Sequence, residues 1–220
     1  MAEPQPPRRV YRAHREKQRR HILATAATLF DERGIDRVTM TDITAASGLM
    51  VSTIYQYFSN KDEIVWAIVQ AIFEQSGARL QQRLDGVQGS ALARIAALLD
   101  VLADELVTHP EQVRFMAQFD ALYARDWSAE RLLALEAQLF PAALSTLLTS
   151  LVREGVADGS LRPDLDPELT MHSVLNAAIA TQRRLASLGE RVEQEYGQPI
   201  ERLFAEACRV ILRGLMKFDG

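Results

Sequence analysis

Residues 39–61 read TMTDITAASGLMVSTIYQYFSNK, and this stretch decides the fold. Its spacing predicts two short helices around a tight turn. Thr39 is placed to cap the first helix, with Asp42 at the third helical position as a weak capping box. Ile43 and Ala46 make the apolar face of that helix. Gly48 supplies the positive φ that a sharp inter-helix turn requires. Thr53, Ile54, Tyr55 and Tyr57 follow on a second short helix, and Asn60 opens a third. A helix-turn-helix with hydroxyl and aromatic side chains on its second helix offers that helix to the DNA major groove.

On the N-terminal side, a helix is predicted from about His14 to Arg33, with Ile22, Leu23, Ala26, Leu29 and Phe30 as its buried stripe and Gly34 at its end. Residues 1–13 form a Pro- and Arg-rich flexible arm. Arg8, Arg9, Arg12, Arg15, Lys17, Arg19 and Arg20 make this end basic. Such an arm suits a minor groove or neighbouring phosphates, and it equally suits a solvated charged tail. Residues 14–61 then form a DNA-binding domain and residues 62–220 a helical ligand-binding and dimerisation domain.

On the C-terminal side, Asn60 and Glu63 make a capping-box-like pair, and Asp62 and Glu63 suit the positive end of a helix dipole. The helix from Lys61 to Asp85 would be roughly 37 Å long at 1.5 Å per residue, with Gly77 as a weak point. Gly86–Ser90 is a loop. Helices follow at about 90–108, 111–124, 128–157, 167–188 and 199–218, with a kink or boundary at Pro141. Asp166-Pro167-Glu168 is a helix start with cap, first-turn proline and early acid. No strand pattern survives, so the fold class is all-α, with about nine helices: a three-helix DNA-binding domain and a C-terminal bundle.

Charge supports this division. The net charge is −4. Residues 1–61 hold ten Lys/Arg against six Asp/Glu, or +4; the remainder holds fifteen against twenty-three, or −8. A basic end on an acidic body is the asymmetry expected when one end meets phosphates. No apolar run reaches the roughly 18 residues of a membrane span, and the N-terminus carries no apolar signal region, so a cytoplasmic protein is expected. The single cysteine, Cys208, excludes an internal disulfide. His14, His21, His109 and His172 show no metal-ligand spacing, and no P-loop or dinucleotide fingerprint is present. No metal, no cofactor and no enzymatic activity are expected.

From Arg20 to about Val65 the sequence resembles the TetR-like (tetracycline-repressor-like) transcriptional regulators. The matching residues are Ile22-Leu23, Ala26-Ala27, Leu29-Phe30, Gly34, Val38-Thr39, Asp42-Ile43, Ser47-Gly48, Thr53-Ile54-Tyr55, Tyr57-Phe58 and Lys61-Asp62, in one order without gaps. The resemblance covers the first third of the chain. It implies that Tyr55, Tyr57 and Lys61 clamp the DNA backbone, with Thr39 near phosphate. Base reading would fall to Thr41, Val51, Ser52, Thr53 and Gln56. Gln bonds adenine in the major groove, while valine and threonine methyls pack on thymine methyls. The sequence departs from the family at Met50, where a small polar helix cap is usual.

The resemblance further implies a homodimer through the two C-terminal helices, where Ala177, Ala178, Ala180 and Gly214 allow close approach. It implies a double-stranded DNA operator as partner and a small-molecule effector whose binding shifts the long fourth helix. Phe115, Met116, Phe119, Tyr123 and Trp127 are candidates for an apolar cavity. Trp66, His109, His172, Asn176 and Gln182 are candidate polar contacts. The alternative is that the aromatics fill the core and the polar groups sit on the surface. An apolar or aromatic effector is favoured over an anionic one, because few basic residues cluster there. Two rivals stay open: a DNA-binding protein of this fold without an inducer, and a helical interaction module whose DNA-binding head is degenerate.

Overall fold

The computed structural model describes residues 8–123 and 142–217. Ten helices occupy the described residues: α1 (Arg8–Arg33), α2 (Met40–Ser47), α3 (Val51–Tyr55), α4 (Lys61–Gly86), α5 (Ala91–Thr108), α6 (Pro110–Tyr123), α7 (Ala142–Asp158), α8 (Pro167–Leu188), α9 (Arg191–Tyr196) and α10 (Ile200–Leu215). None is long and apolar enough to cross a membrane. The chain divides into two compact units, Met1–Ala71 and Ile72–Gly220, and the boundary falls inside α4 rather than at its start.

In the first unit the turn chemistry acts locally. The Thr39 hydroxyl accepts the Asp42 amide at 3.2 Å, and the Thr39 amide donates to the Asp42 carboxylate at 2.8 Å, so the capping box is complete. Gly48 closes α2 in the left-handed region at φ 67°. Ala46, assigned above to the apolar face, is instead exposed, and Ser47 takes the inward place one residue later. Its hydroxyl donates to the Thr44 carbonyl at 3.0 Å, which is what makes its burial tolerable. Ile22, Ala26, Leu29 and Phe30 of α1 are buried, as are Ile35, Val38, Ile43, Ile54, Phe58, Ile64 and Val65.

Three further differences from the sequence reading have simple causes. The first helix starts at Arg8 rather than His14, because after Pro7 nothing in RRVYRAHREKQRR breaks a helix. Gly77 does not interrupt α4, since one interior glycine costs about 1 kcal/mol, which a 26-residue helix absorbs. The short α9, closed by Gly197 at φ 62°, has no signature in the sequence, because six residues carry no helical period. The predicted helix over 128–141, with the boundary at Pro141, lies outside the described residues.

In the second unit α5 and α8 are central. α8 packs against α5, α6, α7, α9 and α10, and α5 packs against α6, α7, α8 and α10. Their shared core includes Ile95, Leu98, Leu99, Leu106, Leu151, Val152, Met171, Val174, Ala178 and Phe204. The start of α5 is capped twice: Ser90 Oγ accepts the Ala93 amide at 3.4 Å, and Asp158 accepts the Ala91 amide at 3.0 Å. The turn after α7 is close-packed. A Cβ at the buried Gly155 would lie 2.4 Å from Leu161 Cγ and 3.2 Å from Ala91 Cβ. Gly155→Ala should therefore lower stability by about 1–3 kcal/mol through overpacking, read as a drop in the urea midpoint. An unchanged midpoint would mean that Leu161 turns aside without loss.

Candidate nucleic-acid interface and body cavity

α3 is a helix of only five residues, and no side chain caps its N-terminus. Met50 occupies the cap position with extended backbone, 73% exposed, and its carbonyl accepts the Thr53 amide at 2.9 Å and the Ile54 amide at 3.3 Å. The turn continues past Tyr55, because the Tyr57 and Phe58 amides both donate to the Ile54 carbonyl, at 2.9 and 3.0 Å. Ile54 is fully buried; Val51, Ser52, Tyr55 and Gln56 are exposed, and Thr53 is half-buried. Four of the five residues proposed above to read bases or phosphate on this helix thus stand on one outward face. Thr41 is exposed on α2, and Thr39 is occupied as the cap.

The polar contacts that seat this helix come from elsewhere in the sequence. The Tyr57 hydroxyl donates to Gln18 Oε1 of α1 at 2.7 Å, and the Arg15 guanidinium lies over the Tyr57 ring at 5.6 Å. Arg19 lies over Phe58 at 5.5 Å. His21 Nε2 meets the Ser47 carbonyl at 3.0 Å. Lys61 Nζ donates to the Ile35 and Asp36 carbonyls at 2.8 and 3.4 Å, so it ties the start of α4 to the turn after α1. A cation there offsets its poor position at a helix N-terminus by bonding backbone carbonyls. Sequence reading did not find Gln18, His21 or this use of Lys61, because pairs that distant leave no local signal.

The hydrogen bonds from Thr39 hold the Asp42 carboxyl below its ordinary value. Because the folded value is depressed, the cap contributes above the usual carboxylate range and is lost as pH falls through the folded value. Cys208 behaves oppositely: burial, with Asp100 nearby, pushes its thiol up to about 11, so it stays neutral. Among the described residues no three His, Cys, Asp or Glu side chains come together to hold a metal ion.

The second unit holds a partly open apolar cavity of about 140 Å³ between α4, α5, α6, α7 and α8. Its wall includes Phe73, Leu98, Val101, Val113, Met116, Leu148 and Ile179, and its polar members include Glu105, His109, Gln182 and Arg183. Three polar side chains are buried among the described residues (Ser47, Glu105 and Gln182), and the two of the body both line this cavity. Gln182 Nε2 donates to the Leu102 carbonyl at 2.6 Å, and Arg79 donates to Glu105 at 2.9 Å. Arg183 pairs with Asp120. Burial brings its guanidinium down to about 10, which leaves it charged at neutral pH.

Of the residues singled out from sequence for this role, His109, Met116 and Gln182 line the cavity. Phe115 and Phe119 are buried in the core without lining it. His172 and Asn176 are exposed on α8, where Asn176 donates to the His172 carbonyl at 2.8 Å. Trp66 belongs to the first unit. Trp127 and the Tyr123 side chain lie outside the described residues.

An outward-facing short helix behind a capped α2 and a glycine turn defines a helix-turn-helix DNA-binding protein. Known proteins agree and narrow the class. The profile of bacterial regulatory proteins of the tetR family matches residues 22–68. The HTH-type transcriptional repressor KstR2 of Mycolicibacterium smegmatis is 25% identical across 92% of this chain and 93% of its own length. Its Rhodococcus jostii namesake is 29% identical across 73% and 76%. Among solved structures, the ketosteroid transcriptional regulator KstR2 of Mycobacterium tuberculosis superposes with a TM-score of 0.69 at 22% identity, covering 91% of this chain and 95% of that one. The fatty acid degradation regulator FadR of Bacillus halodurans gives 0.67 at 19%, covering 90% and 96%. The chain carries the tetR-family DNA-binding profile in its first unit and is similar to TetR-like transcriptional regulators over nine-tenths of its length.

Because α3 is too short to stand alone, Ile54 carries it. Ile54→Ala should cost about 2–5 kcal/mol in urea unfolding, whereas Val51→Ala, on the outward face, should stay within about 0.5 kcal/mol. Equal costs would mean that α3 is held by something other than that buried side chain.

Proposed function

We propose that the protein is a cytoplasmic, homodimeric repressor that lays α3 in the major groove and leaves DNA when a small apolar or aromatic ligand fills the body cavity. The outward face of α3 is the observation that carries this reading. Val51, Ser52, Thr53 and Gln56, with Thr41 of α2, read base edges. Tyr55, half exposed and without a hydrogen bond among the described residues, takes a phosphate. Tyr57 reaches phosphate only by releasing Gln18, since a phosphate oxygen accepts and the hydroxyl has one proton. Lys61 has a third donor beyond the two on carbonyls, and Thr39, the cap of α2, adds a contact near phosphate.

Dimerisation falls to α8 and α10. Ala177, Ala180, Val210 and Gly214 are exposed there, although Ala178 is buried in the subunit's own core. Small outward residues let two helix pairs approach closely, and two copies are what a two-half-site operator requires. His172 and Asn176 share the outward side of α8 and belong with this surface. Relatives named as repressors, one of them a ketosteroid regulator, support repression in answer to a compact lipophilic signal. The buried polar groups around an otherwise apolar cavity support ligand binding by this body.

Fluorescence anisotropy on DNA from just upstream of the coding region, across a salt series, tests the reading. Lys61→Ala should weaken all sequences and flatten the salt slope by about one per subunit. Gln56→Ala should relax discrimination at one base pair per half-site, by about 1–3 kcal/mol. An unchanged slope in the lysine variant would reduce Lys61 to a structural tie. Absence of salt-dependent affinity in the wild type would leave the head an interaction module, in keeping with the uncapped Met50.

A further inference from the structure

The two ionised side chains that line the cavity are not equivalent. Glu105 Oε1 accepts both Nε and Nη2 of Arg79, at 3.2 and 2.9 Å, so its charge is answered within the body. Arg183 pairs through Nη1 with Asp120, whose carboxylate is 46% exposed. The other N–H groups of Arg183 have no partner among the described residues, in a side chain only 21% exposed. A guanidinium carries five donors in a planar fork that matches a carboxylate, and it accepts nothing.

We propose that the cavity reads a single-ring aromatic carboxylate, with Arg183 as the residue that recognises its charge. This rests on the effector reading of the cavity and adds the ligand's chemical class. Size suits one ring: an apolar cavity of ~150 Å³ accepts a benzene-sized guest, and this partly open one offers about 140 Å³. The wall sets the apolar body, being mostly Leu98, Val101, Val113, Met116, Leu148 and Ile179. Arg183 sets the charge. Gln182 has already turned its amide to the Leu102 carbonyl, so Arg183 is the lining group with donors to spare. An incoming carboxylate takes those donors while Asp120 returns to water at little loss, because it is half exposed already. The same exchange at Arg79 would strand the buried Glu105, so the anion does not choose that side. The shortage of clustered basic residues, which points the sequence reading to a neutral ligand, is outweighed by one largely covered guanidinium on an otherwise apolar wall.

The test is a ¹⁹F NMR titration of the full-length protein with 4-fluorobenzoate and its neutral counterpart 4-fluorobenzamide, for the wild type, Arg183→Gln and Asp120→Asn. The wild type should prefer the acid by about tenfold. Arg183→Gln should abolish that preference while still binding the amide, which shows that its cavity is folded. Asp120→Asn, which removes the competing carboxylate, should tighten the acid by about threefold. Should Arg183→Gln fail to fold, the aspartate variant decides alone, and an unchanged acid affinity there overturns the proposal. Equal wild-type affinity for acid and amide overturns charge recognition and leaves the effector cavity standing. Binding of neither probe to the wild type overturns both.

Discussion

A five-residue helix does not hold itself in water, because nucleation fixes several residues before the first hydrogen bond forms. α3 exists because Ile54 is buried and everything around it is arranged to keep it there. Its N-terminus lacks a side-chain cap, so the burden falls on that side chain, on the Met50 carbonyl and on the Ile54 carbonyl that receives the next turn. The contacts from α1 serve the same end: Gln18 on Tyr57, Arg15 and Arg19 over the two rings, His21 on the end of α2. A reading surface fixed by remote contacts has its outer residues released from structural duty. That is why Val51, Ser52, Tyr55 and Gln56 are available to a partner.

The head was legible in the sequence to the extent that its chemistry is local. A cap, an acid three residues on and a glycine with positive φ are each read within a few positions, and each is found doing that work at Thr39, Asp42 and Gly48. Helical spacing was less exact. It placed Ala46 inside, where Ser47 satisfies its own hydroxyl and takes the buried place. Lys61 stood out in sequence as a cation at the wrong end of a helix. Its partners, the carbonyls of Ile35 and Asp36, lie 26 and 25 residues away, and no local pattern announces them.

The body shows the other limit. Period tells which residues turn inward but not which of them border a void. Phe115 and Phe119 are buried as their spacing implies, yet the cavity wall is made, Phe73 apart, by aliphatic side chains and Met116 spread over five helices. Phe115 and Phe119 fill space in the core instead of bordering it. The more useful signal is polar: Glu105 and Gln182 lie at buried helical positions, and both border the cavity.

α4 contributes to both units. Ile64, Val65, Ile68 and Val69 are buried among its head residues, and Phe73, Ser76, Gly77 and Leu80 line the body cavity. Arg79 and Arg83 of the same helix pair with Glu105 and Asp104 of α5, the first buried and the second exposed. The two pairs constrain α4 unequally. The exposed one is screened and is worth at most about 1 kcal/mol. The buried one cannot part without leaving a carboxylate dry, which costs about 3–5 kcal/mol. A ligand acts on such a helix only through the difference in its affinity for two arrangements. Movement of α4 that preserves Arg79–Glu105 would therefore be cheaper than movement that breaks it.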